Sequence, residues 1–155
     1  MKKLNNNKKG FTLIELLAVI VILAILVMVA IPAVTRYLNS ARRGTFSDNA
    51  HSAISAVRNE VIHKGFTSDT STPGVQTFSK TDIDKLLEKK LNSSPFGGSY
   101  NDASTIRVTQ KNDGSYTYEM CLFDEGGHGF TYTEENKIND DAVNLSGITS
   151  CTPTE

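Results

Sequence analysis

Residues 11–31 form 21 almost uninterrupted apolar positions, broken only by Thr12 and by one carboxylate, Glu15. At 1.5 Å per residue such a run gives ~30 Å of helix, the hydrocarbon thickness of a bilayer. Beyond it, Val34, Tyr37, Leu38, Ala41, then Ala50, Ile54, Val57 and Val61 recur at intervals of three and four, with a slip near Gly44. That is the period of an amphipathic helix. His63, Lys64 and Gly65 supply its stop, a basic last turn followed by a residue free to take the left-handed cap. The two stretches together predict one helix of about 54 residues, ~80 Å long. Its apolar first half must be covered by lipid or by other copies, while its second half offers one stripe to a head. Pro32 either lies within it, removing one backbone hydrogen bond and bending or loosening the turn before it, or simply ends the membrane helix.

The rest of the chain alternates differently. Residues 66–74 are rich in Ser, Thr, Asp and Gly and read as a surface loop. Residues 81–91 read as a short helix capped by Thr81, with Asp84 at its third position and Ile83, Leu86, Leu87 and Leu91 along one face. Pro95, Gly97 and Gly98 return residues 92–101 to turn chemistry. Ile106 and Val108, then Tyr116, Tyr118, Met120 and Leu122, alternate with polar positions on either side of Asn112, Asp113 and Gly114, the signature of a hairpin. A third strand is predicted over residues 130–133, and residues 143–149 supply either a fourth or a packed tail. The predicted fold is α+β: a long N-terminal helix, membrane-spanning in its first half, packed in its second half against a small antiparallel sheet head. The organisation follows as residues 1–10 leader, 11–31 membrane helix, 32–65 amphipathic continuation and 66–155 head.

Charge sharpens this division. Lys2, Lys3, Lys8 and Lys9 precede the apolar run and all 17 acidic residues follow it. The lysines keep the N-terminus cytoplasmic and place the head on the outer side. Residues 11–155 carry twelve basic and seventeen acidic side chains, a formal charge of −5, which argues against a general nucleic-acid surface. The two cysteines, Cys121 and Cys151, both lie beyond the membrane segment, and an even count in an oxidising compartment suits a disulfide. Spacing alone leaves two free thiols as the alternative.

A carboxylate inside an apolar span costs a few kcal/mol near its centre and usually has a partner. An ordinary signal peptide carries its small-residue cleavage site after the apolar core, whereas here Gly10 stands before it. A cut after Gly10 removes the lysines, keeps the helix and leaves a charged amine on Phe11, one helical turn from Glu15. Two readings of Glu15 follow: it snorkels to the interface or is protonated, or it pairs with the freed amine of Phe11, within one chain or between neighbours, as two charges that neutralise each other.

Lys8, Lys9, Gly10, Phe11, Thr12, Leu13, Ile14, Glu15, Leu16 and Leu17 resemble the N-terminal motif of type IV pilins and their relatives, the type II secretion pseudopilins and competence pilins. The resemblance is strong over residues 8–37. It implies cleavage by a prepilin peptidase between Gly10 and Phe11, N-methylation of Phe11, and Glu15 as the assembly residue. It also implies a single-pass precursor in the cytoplasmic membrane that passes through the pilus assembly machinery into a homopolymer with other copies. The product is then an extracellular filament serving adhesion, motility or biofilm formation. Pro32 falls where many pilins carry a helix-distorting proline, while Ala24 departs from the glycine of many Gram-negative members. Many pilins close a C-terminal loop by disulfide, which supports a Cys121–Cys151 bond.

Other chemistry is sparse. His51, His63 and His128 are widely separated and read as surface or capping residues, and Asp48, Arg58 and Glu60 as a solvated helix face. Asp124, Glu125, Asp140 and Asp141 concentrate oxygens of the kind calcium prefers, but their spacing is that of acidic turns and not of an EF-hand. Lys85, Lys89 and Lys90 read as the wet side of a short helix. No catalytic pattern, cofactor or metal is expected. The alternatives are a minor pilin or a pseudopilin of a secretion or DNA-uptake system and, from a different class, a membrane-tethered binding module or enzyme.

Overall fold

The computed structural model describes residues 10–151, so the lysines of the leader lie outside the described residues. Helix α1 spans Leu13–Lys64 and contains Pro32. It begins two residues later than the apolar run, leaving Gly10, Phe11 and Thr12 outside it. The chain divides into two compact units, one ending at Asn39 and the other starting at Ser40.

The first unit is the apolar half of α1, long and apolar enough to cross a membrane. Every large apolar side chain from Phe11 to Leu38 is at least 45% exposed. Thr35 Oγ1 donates to the Ile31 carbonyl at 2.9 Å, a side-chain bond in the turn that carries Pro32.

The second unit is the head. After α1, the chain forms β1 (Val75–Ser79), α2 (Lys80–Leu86), β2 (Thr105–Gln110), β3 (Tyr116–Phe123) and β4 (Gly129–Glu134), followed by two single 3-10 turns. The four strands form one antiparallel sheet in the order β1-β2-β3-β4. Gly114, at a φ of 82°, turns the β2–β3 hairpin as its Asn-Asp-Gly sequence predicts. The fold is therefore α+β with a pilin-like architecture. Phe46, Ala50, Ala53, Ile54, Val57 and Val61 bury one stripe of α1 against Phe78, Ile106, Val108, Tyr118, Met120, Leu122 and Phe130. Phe46 is fully buried, with ring centroids 5.1 Å from Tyr100 and 6.0 Å from both Phe96 and Phe130. The slip near Gly44 thus resets the stripe onto an aromatic anchor.

Several boundaries differ from the sequence reading. Val75–Ser79 is a strand where none was expected. Its pattern of Val75 and Phe78 buried around polar positions is too short and irregular to show period two. Helix α2 is capped by Ser79 and not by Thr81: Ser79 Oγ accepts from the Asp82 amide, and Asp82 Oδ2 accepts from the Ser79 hydroxyl. The helix stops at Leu86 because Leu87 turns extended, and Asp84 then accepts from the Leu91 amide at 2.8 Å. Residues 143–149 form no strand; a single bridge pairs Asn144 with Gly129. Arg58 is not a freely solvated side chain, since it pairs with Glu135 and lies 4.8 Å from the Tyr118 ring centre.

Candidate functional site

At the start of α1, Thr12 and Glu15 form a reciprocal cap. Glu15 Oε2 accepts from the Thr12 amide and from the Thr12 hydroxyl, both at 2.8 Å, while Thr12 Oγ1 accepts from the Glu15 amide at 3.3 Å. This is the Thr-x-x-Glu capping box, in which two otherwise unpartnered donors of a helix N-terminus satisfy each other's side chains. The first backbone bond of the helix runs from Leu16 N to the Thr12 carbonyl at 3.2 Å. Among the described residues the amides of Leu13 and Ile14 have no backbone partner at this end, which the helix dipole makes partially positive. Phe11 stands just outside, 92% exposed. The geometry brings Glu15 onto the backbone amide adjacent to Phe11, so an amine created at Phe11 is one peptide unit from the cap.

A prokaryotic N-terminal methylation motif matches residues 5–31. The chain carries the type IV prepilin signature. The match covers the N-terminal segment, and together with the exposed apolar helix it is consistent with a membrane-anchored precursor. No solved structure matches the chain. The signature contains a residue that the sequence reading passed over. Thr12 is the first member of a Thr-x-x-Glu capping pattern and acts as the helix cap.

The head has a second organised site at the end of β3. Cys121 and Cys151 are joined by a disulfide, closing a separation of 30 residues and tying the C-terminal segment to a central strand. Between them, Asp124 is 1% exposed. Its carboxylate accepts from the Ser94 hydroxyl at 2.5 Å, from the His128 amide at 2.9 Å and from His128 Nδ1 at 2.9 Å. His128 stacks flat on Phe96 at a centroid distance of 4.5 Å. Burial pushes the Asp124 carboxyl up, but the donors from Ser94 and His128 outweigh it and hold the group below the usual carboxylate range. Nearby Tyr100 accepts from Asn49 of α1 at 2.9 Å, and burial pushes its phenol up to about 12.

These contacts correct two expectations. His128 is a partly buried member of a hydrogen-bonded network and not a surface residue. Asp124 is not a solvated turn acid, and it does not converge with Glu125, Asp140 and Asp141: among the described residues no group of three such side chains is placed to hold a metal. Asp140 instead lies against Gly44 of α1. The sequence held one signal for the network, the Gly-Gly-His-Gly turn. Gly129, at a φ of 147°, brings the backbone so close to β3 that an added Cβ would stand 2.1 Å from the Leu122 carbonyl.

Proposed function

We propose that the chain is a structural subunit of a type IV pilus. A prepilin peptidase removes the leader between Gly10 and Phe11 and methylates the new amine, and the N-terminal helices then bundle as the core of a surface filament. The observation that carries the reading is a signature with one carboxylate, Glu15, at the head of an otherwise apolar helix that has no covering in the single chain. Before assembly that helix lies in lipid, which is as apolar as leucine, so leaving lipid for other helices gains little hydrophobic free energy. Packing and the pairing of Glu15 with a neighbour's Phe11 amine then decide register, because an unpaired carboxylate in that environment costs several kcal/mol.

The role is structural and not catalytic. In the head, Ser94 donates to Asp124 and not to His128, so the three residues do not form an activated nucleophile with its base. The disulfide and the Asp124 network support a head that stays folded outside the cell. The test is Glu15→Ala as the only copy in the native host. Removal of the leader and membrane insertion are expected to be normal while filaments sheared from the surface are lost. Normal filaments built from the variant alone contradict the proposal.

A further inference from the structure

A cavity of about 730 Å³ opens in the head between α1, which contributes Thr45 and Asn49, and the segment after α2, residues 88–95. Sites that hold small molecules have volumes of about 300–1,000 Å³. The segment that walls it is held in place. Asp84 Oδ1 accepts from the Leu91 amide at 2.8 Å, Leu91 itself is buried in the core, and Ser94 donates to the buried Asp124 carboxylate.

Tyr100 also lines the cavity and is 2% exposed. Its hydroxyl oxygen accepts from Asn49 Nδ2, but among the described residues no acceptor takes its own proton. A buried hydroxyl with an unused donor is uncommon in folded proteins and marks a place for a further acceptor. The side chains of Asn92 and Ser93 line the same cavity and have no hydrogen-bond partner among the described residues. Carboxamides and hydroxyls both donate and accept. The hydroxyls of a sugar ring do the same, so each can be met from both sides.

Charge narrows the ligand further. Lys89 and Lys90 are exposed at this cavity with Glu88 beside them, leaving one formal positive charge. They stand in a head whose residues 66–155 carry seven basic and fourteen acidic side chains. One net charge suits a ligand with a single acidic group and not a polyanion, whose binding relies on several cations. Tyr100, the aromatic residue of the lining, is buried and offers no open face for stacking a base.

We infer that this cavity binds an acidic monosaccharide unit, a sugar ring bearing one carboxylate. Tyr100, Asn49, Asn92 and Ser93 meet the ring hydroxyls, and Lys89 and Lys90 meet the carboxylate. The site belongs to the head and does not depend on whether the chain polymerises.

The test titrates the full-length chain in detergent micelles with D-glucuronate and, separately, with glucose, inorganic phosphate and a single-stranded oligonucleotide, read by nuclear magnetic resonance. Glucuronate is expected to shift the amides of Asn92 and Ser93 with a Kd of about 1 mM, the range open to so small a ligand. Glucose, without the carboxylate, is expected to bind about fivefold more weakly. Tyr100→Phe keeps the ring, removes the hydroxyl and is expected to weaken glucuronate about five- to tenfold. Lys89→Gln with Lys90→Gln is expected to bring glucuronate down to the affinity of glucose. Because it alters only exposed positions, this second variant keeps the test decisive if Tyr100→Phe unfolds. No shift of these amides at about 20 mM glucuronate, glucose binding as well as glucuronate, or full glucuronate affinity in the folded Tyr100→Phe or the lysine variant each overturn the inference. So do phosphate or the oligonucleotide shifting the same amides at lower concentration than glucuronate.

Discussion

Replacing Phe46 with alanine removes the anchor that joins α1 to the sheet and to the loop before β2. The side chain is fully buried and touches three aromatic rings. Phe→Ala in a packed core costs about 3–5 kcal/mol, the sum of lost transfer free energy and the cavity left behind. Each aromatic pair adds about 0.5–1.5 kcal/mol beyond area, and three of them place this site at the upper end, near ~5 kcal/mol. A domain of this size has roughly 5–15 kcal/mol of stability in all, so the variant retains a marginal fold. At about 3–4 °C per kcal/mol, thermal unfolding is expected to fall by about 15 °C or more. The chain contains no Trp and five Tyr, so near-ultraviolet circular dichroism of the full chain in detergent reports packing around Tyr100. Tyr37→Ala is the control, being 75% exposed on the stalk, and is expected to leave the head transition within about 2 °C. A shift below about 5 °C for Phe46→Ala, or equal shifts for the two variants, refutes the placement of the core.

Reduction of Cys121–Cys151 releases a 30-residue loop and is expected to lower stability by about 3–4 kcal/mol in the chain-entropy model, read as a fall in the urea midpoint with added thiol; an unchanged midpoint counts against the bond's structural role. The Asp124 network sets an acid limit. Because its folded carboxyl lies below its unfolded value, its contribution is complete above about pH 4 and fades as pH falls further. Asp124→Asn is expected to destabilise the head by about 1–3 kcal/mol at pH 7, with the gap to the unsubstituted chain closing in acid. A gap that persists unchanged at pH 3 contradicts the network.

The division into anchor and head was legible because it rests on features that survive in one dimension: an unbroken apolar run, a recurrence of three and four, and an Asn-Asp-Gly turn. Helix α1 and the β2–β3 hairpin follow from them almost residue for residue. What escaped depends on contacts between distant segments. Strand β1 has only Val75 and Phe78 to mark it, and it exists because it finds β2. The fourth strand expected at the C-terminus is a single bridge, because the disulfide and the turn at Gly127 hold that segment in place of a ladder. Asp124 looked like a surface acid since nothing local announces that Ser94, thirty residues earlier, will donate to it. At the N-terminus the charge of Glu15 was easier to see than its cap, although Thr12 stands three residues away.

Mass spectrometry of the N-terminus of the protein recovered from the cell surface tests the central claim most directly. The account predicts a chain that begins at Phe11 and carries one added methyl group. A chain that retains residues 1–10, or is cut at any other bond, contradicts it.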